Sequence, residues 1–303
     1  MSTSESNSDN RPESKLRSGP LLMAGAVAAF TLMVACVKIA REELDAIEVM
    51  WWRSLIGVPL VALVARGRWR PTEHKLIGIR ALLGFGAMGC FFTAAKGLNL
   101  ADLSLISRLQ PVLVALVAPL LLGAGERSTT RIWIATAGGL IGCAVLLQPS
   151  VEFGNHWGLW ALGAAVFSAL AHTTVRALGA SEHPTTVVLW FQLWVALISV
   201  VWLLVRDGAP PAIPPSRLWL VLAGTGVFAS IGQWLMTEAY RRDKAARVAA
   251  ASYVGPLWAL MLDVAIFTVW PKTHVWFGGA LIIISGLLVV WAPRGPKESL
   301  RGE

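Results

Sequence analysis

Two serine-to-proline motifs in this 303-residue chain have the residue types and spacing to create polar sites inside helices. Ser107-Arg108-Leu109-Gln110-Pro111 recurs as Ser252-Tyr253-Val254-Gly255-Pro256. Because a proline inside a helix removes the hydrogen bond to the carbonyl four residues earlier, Pro111 and Pro256 free the carbonyls of Ser107 and Ser252. Each motif is then either a hinge that lines a binding cavity or a static kink satisfied by its serine or a neighbouring helix. The recurrence favours the hinge.

The two motifs differ most at one position, where Arg108 corresponds to Tyr253. Arg108 is expected about two turns inside an apolar span, where an unpaired charge costs roughly 3 kcal/mol or more. Three interpretations remain open. Arg108 pairs with Asp263 at a similar depth and closes a cavity, it binds the carboxylate of a solute at two points, or it reaches out to the membrane interface.

Two further residues are candidates for coupling solute movement to protons. Glu238 is the best-placed acid in the second half, but an ion pair with Arg241 or Arg242, one turn on, is the favoured alternative. His172 has an ordinary pKa near neutrality, although a buried, hydrogen-bonded histidine is the more common outcome.

A set of aromatic, Met and polar residues on four apolar segments could form a pocket for an amphipathic solute. The alternative for any one of them is plain helix packing. Together with both motifs, the predicted binding residues are Phe30, Met88, Phe91, Phe92, Ser107, Arg108, Gln233, Trp234, Ser252 and Tyr253.

The elements that must position these residues are membrane-spanning helices. Hydrophobic residues make up 55% of the chain and charged residues only 15%, and a span of about 20 apolar residues crosses a bilayer. Ten spans are predicted, at about 19–38, 45–65, 75–97, 102–123, 131–149, 157–176, 184–205, 217–239, 246–270 and 274–292. The sequence therefore predicts an all-α polytopic membrane protein.

The net charge of +8 indicates topology rather than a nucleic-acid partner. With the N-terminus on the inner side, most of the 26 Lys and Arg residues fall in inner segments, and positive residues favour the cytoplasmic side. Both termini are expected in the cytoplasm, with residues 1–18 and 294–303 as polar tails.

The paired motifs divide the spans into two repeats of five. Residues 19–149 form the first repeat, 150–156 a linker, and 157–293 the second repeat. Because five is odd, the second repeat enters the membrane from the opposite side, which makes a five-plus-five inverted pair.

These features resemble a known family. Ala95 and Ala101 before Ser107 and Pro111, Gly125-Glu126 at the end of span 4, and the echo at Ala239, Ala245, Ser252 and Pro256 are similar to the EamA-type branch of the drug/metabolite transporter superfamily. The second copy has Trp270-Pro271 where the first has Gly125-Glu126. Within the branch, the Trp-rich sequence most resembles the YddG aromatic amino-acid exporters.

The resemblance implies ten helices around a central cavity lined by spans 1, 3, 4, 6, 8 and 9, in the bacterial inner membrane. It places spans 2 and 7 at the periphery. Arg53 and Gln192, which occupy approximately matching positions there, are therefore expected to make structural hydrogen bonds.

The leading hypothesis is a secondary transporter that exports amino acids, aromatic ones included, and related small metabolites by alternating access. Efflux of cationic drugs is the alternative, weakened because no acid lies near the centre of span 1 or 3. The expected partners are an amino-acid substrate and the lipid bilayer, with no nucleic acid.

Other function classes lack their motifs. The chain has no Walker motif and neither H-E-x-x-H nor G-x-S-x-G, so no enzyme activity, cofactor or metal is expected. Gly84 to Gly89 matches G-x-G-x-x-G but lies mid-helix without a preceding strand, and close helix packing explains it better. A non-transporting scaffold would leave the paired prolines and Arg108 without a use.

Overall fold

The computed structural model describes residues 19–98, 100–149, 156–211, 213–267 and 272–292, and the side chains at 100, 101, 263 and 265–267 are outside the described part. Ten helical segments are long and apolar enough to cross a membrane, as the sequence predicts. The linker and both predicted tails lie almost wholly outside these ranges.

Eight of the ten membrane helices are continuous and two are interrupted. They are α1 Gly19–Ala40, α2 Ala46–Ala65, α3 His74–Ala94, α4 with segments Leu100–Ser107 and Gln110–Leu122, α5 Thr130–Leu147, α6 His156–Leu178, α7 Pro184–Asp207, α8 Trp219–Arg242, α9 with segments Ala245–Ala251 and Gly255–Phe267, and α10 Thr273–Trp291. A 3-10 turn, Ser252–Val254, joins the two segments of α9.

Helix ends follow local sequence signals. Asp45 and Glu48 form a capping box at the start of α2, which satisfies backbone N–H groups that have no partner within the helix. Pro184 occupies the first turn of α7, where its missing N–H is not needed. Gly208 ends α7 with a φ of 70°, a left-handed conformation that glycine adopts freely.

The main contacts of the bundle join the two repeats. The most extensive pack α1 against α8 and α3 against α6, and further ones pack α2, α4 and α5 against their own counterparts α7, α9 and α10. If the two repeats are related by a two-fold axis, α1 corresponds to α6 and α3 to α8. The packing therefore has the pattern of a five-plus-five inverted repeat.

Helices α5 and α10 approach each other at small residues. A Cβ added to Gly278 would lie 2.7 Å from the carbonyl oxygen of Gly142, and one added to Gly138 would lie 2.6 Å from Oγ of Ser285. Gly138 and Gly142, which form a G-x-x-x-G pattern on α5, thus pack against α10 with backbone close to backbone.

Both prolines of the motifs lie in the first turn of a helical segment rather than inside a kinked helix. The first segment of α4 ends at Ser107 and the second begins at Gln110, so Pro111 starts a new segment. Pro256 similarly follows Gly255 at the start of the last segment of α9. The predicted bends are therefore short breaks in the α-helical hydrogen bonding, bridged by a turn at residues 108–109 and by the 3-10 turn Ser252–Val254, because a proline has no N–H to donate to the carbonyl four residues earlier.

With ten membrane crossings, the described ends Gly19 and Ala292 lie on one face of the bundle, which we call the termini face. The connection between α1 and α2 lies on the opposite face. That the termini face is cytoplasmic remains a prediction from the charge distribution.

Candidate functional site

A cavity of about 400 Å³ lies in the half of the bundle next to the opposite face. It extends from the exposed side chain of Arg41 down to serines near mid-membrane. Helices α1, α2, α3, α4 and α6 line it with Met33, Val34, Val37, Arg41, Ala46, Val49, Met50, Arg53, Ala87, Met88, Phe91, Phe92, Ser107, Ala164, Ala165 and Ser168. Its size falls within the usual range for small-molecule sites.

Among the described residues that line the cavity, the formal charge belongs to two guanidinium groups. Arg53 is only 6% exposed, its Nη1 lies 3.7 Å from Sδ of Met33, and its Nε has no hydrogen-bond partner among the described residues. The Arg41 guanidinium carbon lies 5.9 Å from the ring centre of Phe92. Because the described residues of the lining include no Asp or Glu, the cavity is electrostatically suited to a solute with a negative group.

The rest of the wall is apolar and polarisable. Met88 and Phe92 flank the cavity from α3, and the rings of Phe91 and Phe92 lie edge to face with centres 6.0 Å apart. Met33 and Met50 complete the wall from α1 and α2. Thioether and aromatic groups adapt to flat or irregular apolar groups, so the site can hold the hydrophobic part of an amphipathic solute.

Two ion pairs hold the α1–α2 connection at the mouth of the cavity. Glu43 accepts hydrogen bonds of 2.9 and 2.6 Å from Arg217, and this contact lowers the pKa of the Glu43 carboxyl. Burial acts to raise the pKa of Asp45, but the hydrogen bond and charge of Arg206 lower it overall. Both arginines belong to the second repeat, which therefore fixes the mouth formed by the first.

The interruptions of α4 and α9 cross and bind each other reciprocally. Nη1 of Arg108 donates a 3.2 Å hydrogen bond to the carbonyl of Ser252, and the Tyr253 hydroxyl donates a 3.1 Å bond to the carbonyl of Arg108. A Cβ on Gly255 would lie 2.8 Å from Nη2 of Arg108. The carbonyl of Ser252, which also accepts a hydrogen bond from the backbone N–H of Gly255, thus receives its second bond from the first motif.

This contact with a backbone carbonyl is not among the three interpretations proposed on sequence, and the ion pair with Asp263 stays a prediction. The guanidinium binds a backbone carbonyl of the other repeat, and it does not line the cavity. Asp263 lies on α9, but its side chain is outside the described residues. The serine of the first motif, Ser107, lines the cavity and donates its hydroxyl hydrogen to the carbonyl of Leu103.

A buried polar cluster closes the pathway beneath the cavity. His172 Nδ1 lies 2.8 Å from Nε2 of Gln110 and 3.2 Å from the Tyr240 hydroxyl. Arg80 donates a 3.2 Å hydrogen bond to Oε1 of Gln233. These side chains come from α3, α4, α6 and α8, so both repeats contribute to the closure.

A second contact ties the repeats together at the termini face. Oε1 of Glu126 accepts a 2.8 Å bond from Nε of Arg176, and Oε2 accepts a 2.8 Å bond from the backbone N–H of Ala245 at the start of α9. Arg176 also donates to the carbonyl of Tyr240. The Gly-Glu pair of the first repeat therefore caps a helix of the second.

Glu238 is held in the ion pairs that the sequence suggested as the alternative to proton coupling. Its carboxylate, 4% exposed, accepts hydrogen bonds from both Arg241 and Arg242. A carboxylate shared by two arginines is stabilised in its charged form, so this environment does not favour proton uptake.

Several predicted binding residues lie away from the cavity lining. Phe30 packs over Gly232, where a Cβ would lie 2.6 Å from its ring. Trp234 is 39% exposed in a separate apolar groove of α2, α7 and α8, and Tyr253 is buried against Gly139. Of the predicted set, Met88, Phe91, Phe92 and Ser107 line the cavity.

Arg41 and Arg53 were not predicted as binding residues. Arg53 carried a usable signal, because a charge inside an apolar span is a functional candidate by default. The resemblance placed its span at the periphery, which led to a structural interpretation. Gln192, its approximate counterpart, does make a structural contact, a 3.2 Å hydrogen bond with Ser230.

A solved crystal structure has the same fold as this chain. It matches with a TM-score of 0.74 at 22% sequence identity, over 89% of this chain and 95% of that one. At this identity the match shows the fold alone.

Relatives with similar sequences are named as transporters. The chain is 30% identical over 286 residues to the pseudopaline exporter CntI of Pseudomonas aeruginosa, covering 92% of this chain and 98% of the exporter. It is 28% identical to a riboflavin transporter of Rhizobium johnstonii, covering 78% and 76%, and 26% identical to an uncharacterized transporter of Helicobacter pylori, covering 86% and 90%.

The sequence profile of the EamA-like transporter family matches twice, at residues 17–148 and 155–291. The two matches fall on the two groups of five helices, which together surround the cavity and the buried polar cluster beneath it. Ten membrane helices, an inverted arrangement and transporter relatives agree with this assignment. The chain is therefore a membrane transporter that belongs to the EamA-like transporter family.

Proposed function

We propose that this transporter exports amino acids, aromatic ones included, and related small metabolites across the bacterial inner membrane by alternating access. The coarse function follows from the family, and the substrate class is our inference. The inferred substrate class is the one that the resemblance to the YddG exporters implies.

The observation that carries the proposal is the cavity with two guanidinium groups, Met and Phe walls, and no carboxylate among the lining residues that the structure describes. A buried cation without an anionic partner is costly in a membrane. A bound α-carboxylate would supply that partner to Arg53, while an apolar side chain would contact Met88 and Phe92.

The conformation supports alternating access. The cavity reaches the opposite face, whereas the buried cluster and the Glu126 contacts close the termini half. If the termini face is cytoplasmic, this is the outward-open state of an exporter. The naming of the CntI relative as an exporter supports the same direction.

Efflux of cationic drugs is less well supported. A cation entering this cavity would meet Arg41 and Arg53 and no described acid in the lining, and like charges repel in a poorly hydrated site.

The proposal is tested by counterflow of labelled L-phenylalanine into liposomes containing the purified protein. We expect saturable uptake by the wild type. Arg53→Gln should raise the KM for L-phenylalanine by about tenfold or more, because it removes a charged hydrogen bond to the carboxylate. Phenethylamine, which lacks the carboxylate, should inhibit poorly.

Arg131→Gln is the matched control, since it makes the same change at an exposed arginine at the start of α5. It should leave the KM unchanged. Absence of counterflow for a panel of amino acids by folded wild-type protein would contradict the proposal, as would stronger inhibition by phenethylamine than by phenylalanine.

A further inference from the structure

A second buried arginine lies below the cavity without a carboxylate partner. Arg80, on α3, is 3% exposed, and among the described residues its guanidinium has one polar contact, the 3.2 Å bond to Gln233. Its Nε has no hydrogen-bond partner there. Its guanidinium carbon lies 4.1 Å from the ring centre of Phe191, a cation–π contact that uses none of its N–H donors.

The Arg80 side chain runs toward the cavity. A Cβ on Gly84 would lie 2.5 Å from Nη1 of Arg80, so the guanidinium lies beside the backbone one turn further along α3. The cavity residues Ala87 and Met88 follow within about one more turn, roughly 6 Å along the helix axis. Because Gly84 has no side chain, the Arg80 guanidinium has the space to lie beside it. The G-x-G-x-x-G match at Gly84 to Gly89 did not indicate this role.

Apart from the Phe191 ring, the side chains described around Arg80 are polar and neutral. Gln233, Gln110 and the Tyr240 hydroxyl offer amide and hydroxyl groups, and the charge of Arg80 acts on both Tyr240 and His172. A planar guanidinium with free donors beside such groups is built to bind a carboxylate at two points. In the present conformation the side-chain oxygen of Gln233 accepts from only one nitrogen of the guanidinium, so it does not make the two-point contact that a carboxylate could make.

We infer that Arg80 is a second carboxylate-binding subsite of the transport path, which receives the solute from the termini face when the buried cluster opens. The Gln233 amide occupies the subsite while the cluster is closed. The solute would exchange its carboxylate between Arg80 and Arg53, two guanidinium groups in opposite halves of the path. The inference rests on the proposed function, because it assumes a solute with a carboxylate.

The test compares the two faces of the protein with labelled L-phenylalanine. Inverted and right-side-out vesicles are prepared from expressing cells, and protease cleavage of a tag placed after Glu303 identifies the exposed face. Arg80→Gln should raise the KM by about tenfold or more from the termini face, with less than about a twofold change from the opposite face. Arg53→Gln should show the reverse pattern.

The Gln233→Glu variant tests the subsite without removing the arginine. A resident carboxylate would bind Arg80 permanently, so transport should fall by about tenfold or more while the melting temperature of the purified protein rises. Gln233→Met, which loses the same amide without adding a charge, should not raise the melting temperature.

Three results distinguish failure of the Arg80 subsite from failure of the proposed function. Equal effects of Arg80→Gln from both faces, or no effect from either, would overturn the subsite while wild-type transport of phenylalanine still supports the proposed function. A lower melting temperature in Gln233→Glu than in Gln233→Met would also overturn it. Absence of wild-type phenylalanine transport would overturn both inferences together.

Discussion

Four buried or nearly buried arginines in this protein are stabilised in different ways. Arg176 pairs with the carboxylate of Glu126, and Arg247 donates to the carbonyls of Val289 and Val290. Arg53 and Arg80 have no carboxylate contact within the described structure. The first two arginines therefore have structural partners, while the other two keep donors available for a solute.

The Glu126 contact predicts a large stability effect from one residue. Glu126→Gln removes the charge that faces Arg176, and breaking a buried ion pair by removing one partner costs about 3 kcal/mol. We expect a clearly lower apparent melting temperature for the purified protein, measured by intrinsic fluorescence.

Glu73→Gln is the control for this change, since Glu73 is exposed at the same face. Its melting temperature should match the wild type. Equal melting temperatures for Glu126→Gln and Glu73→Gln would show that Glu126 does not hold the repeats together.

At the scale of the helices, the sequence located the interruptions of α4 and α9 but not how they fit together. The recurrence of Ser107 and Ser252 with their prolines was sufficient to predict two bends near mid-membrane. The reciprocal bonds between Arg108 and Tyr253 depend on the crossing of two helices from different repeats. No local pattern encodes that crossing, so sequence reasoning considered other partners for Arg108.

Substitution of Gly255 tests this crossing. Gly255→Ala places a methyl group within 2.8 Å of Nη2 of Arg108, which should displace the guanidinium from the Ser252 carbonyl and cost about 2 kcal/mol. Gly286→Ala, with no atom within 4 Å of the added carbon, should instead gain about 1 kcal/mol from helix propensity. Urea unfolding of the two variants measures the difference.

Tyr253→Phe tests the second hydrogen bond of the same crossing, again by urea unfolding. It removes only the hydroxyl bond to the Arg108 carbonyl, so a smaller loss of about 1 kcal/mol is expected. If Gly255→Ala stabilises the protein as much as Gly286→Ala does, the bond between the Arg108 guanidinium and the Ser252 carbonyl does not require a glycine at residue 255.

Across the whole molecule, ten spans and the inverted arrangement followed from hydropathy and the repeated motif, and the structure confirms them. The binding cavity was predicted only in part. Met88, Phe91, Phe92 and Ser107 line it, but so do Arg41, which follows α1, and Arg53 on α2, a helix whose main packing partners are α7 and α8. Hydropathy fixes which segments cross the membrane, whereas the face that each presents depends on its neighbours.

The ion pairs at the mouth predict a pH dependence of stability. The pKa values of Glu43 and Asp45 are lowered from about 4.5 and 3.8, so their stabilisation is present above those values and is lost as the pH falls through the lowered ones. Compared with the wild type, a Glu43→Gln, Asp45→Asn double variant should melt roughly 2 °C lower at pH 7. The gap should begin to narrow below about pH 4 and shrink further as the pH falls through the lowered pKa values.

The measurement is a melting series from pH 7 to pH 3 in one detergent. Glu42→Gln, at an exposed position on the same connection, should follow the wild type throughout. A gap that stays constant down to pH 3 would exclude these carboxylates as its cause.

The packing of α5 on α10, α4 on α9 and α2 on α7 has a consequence for the ancestry of the protein. Each of these helices meets its own counterpart, and the two largest contacts, α1 with α8 and α3 with α6, also join the halves. A single half would leave these surfaces exposed, but two identical halves inserted in opposite directions could cover them. The fold is thus what gene fusion would produce from a dual-topology homodimer, in which one polypeptide supplied both subunits.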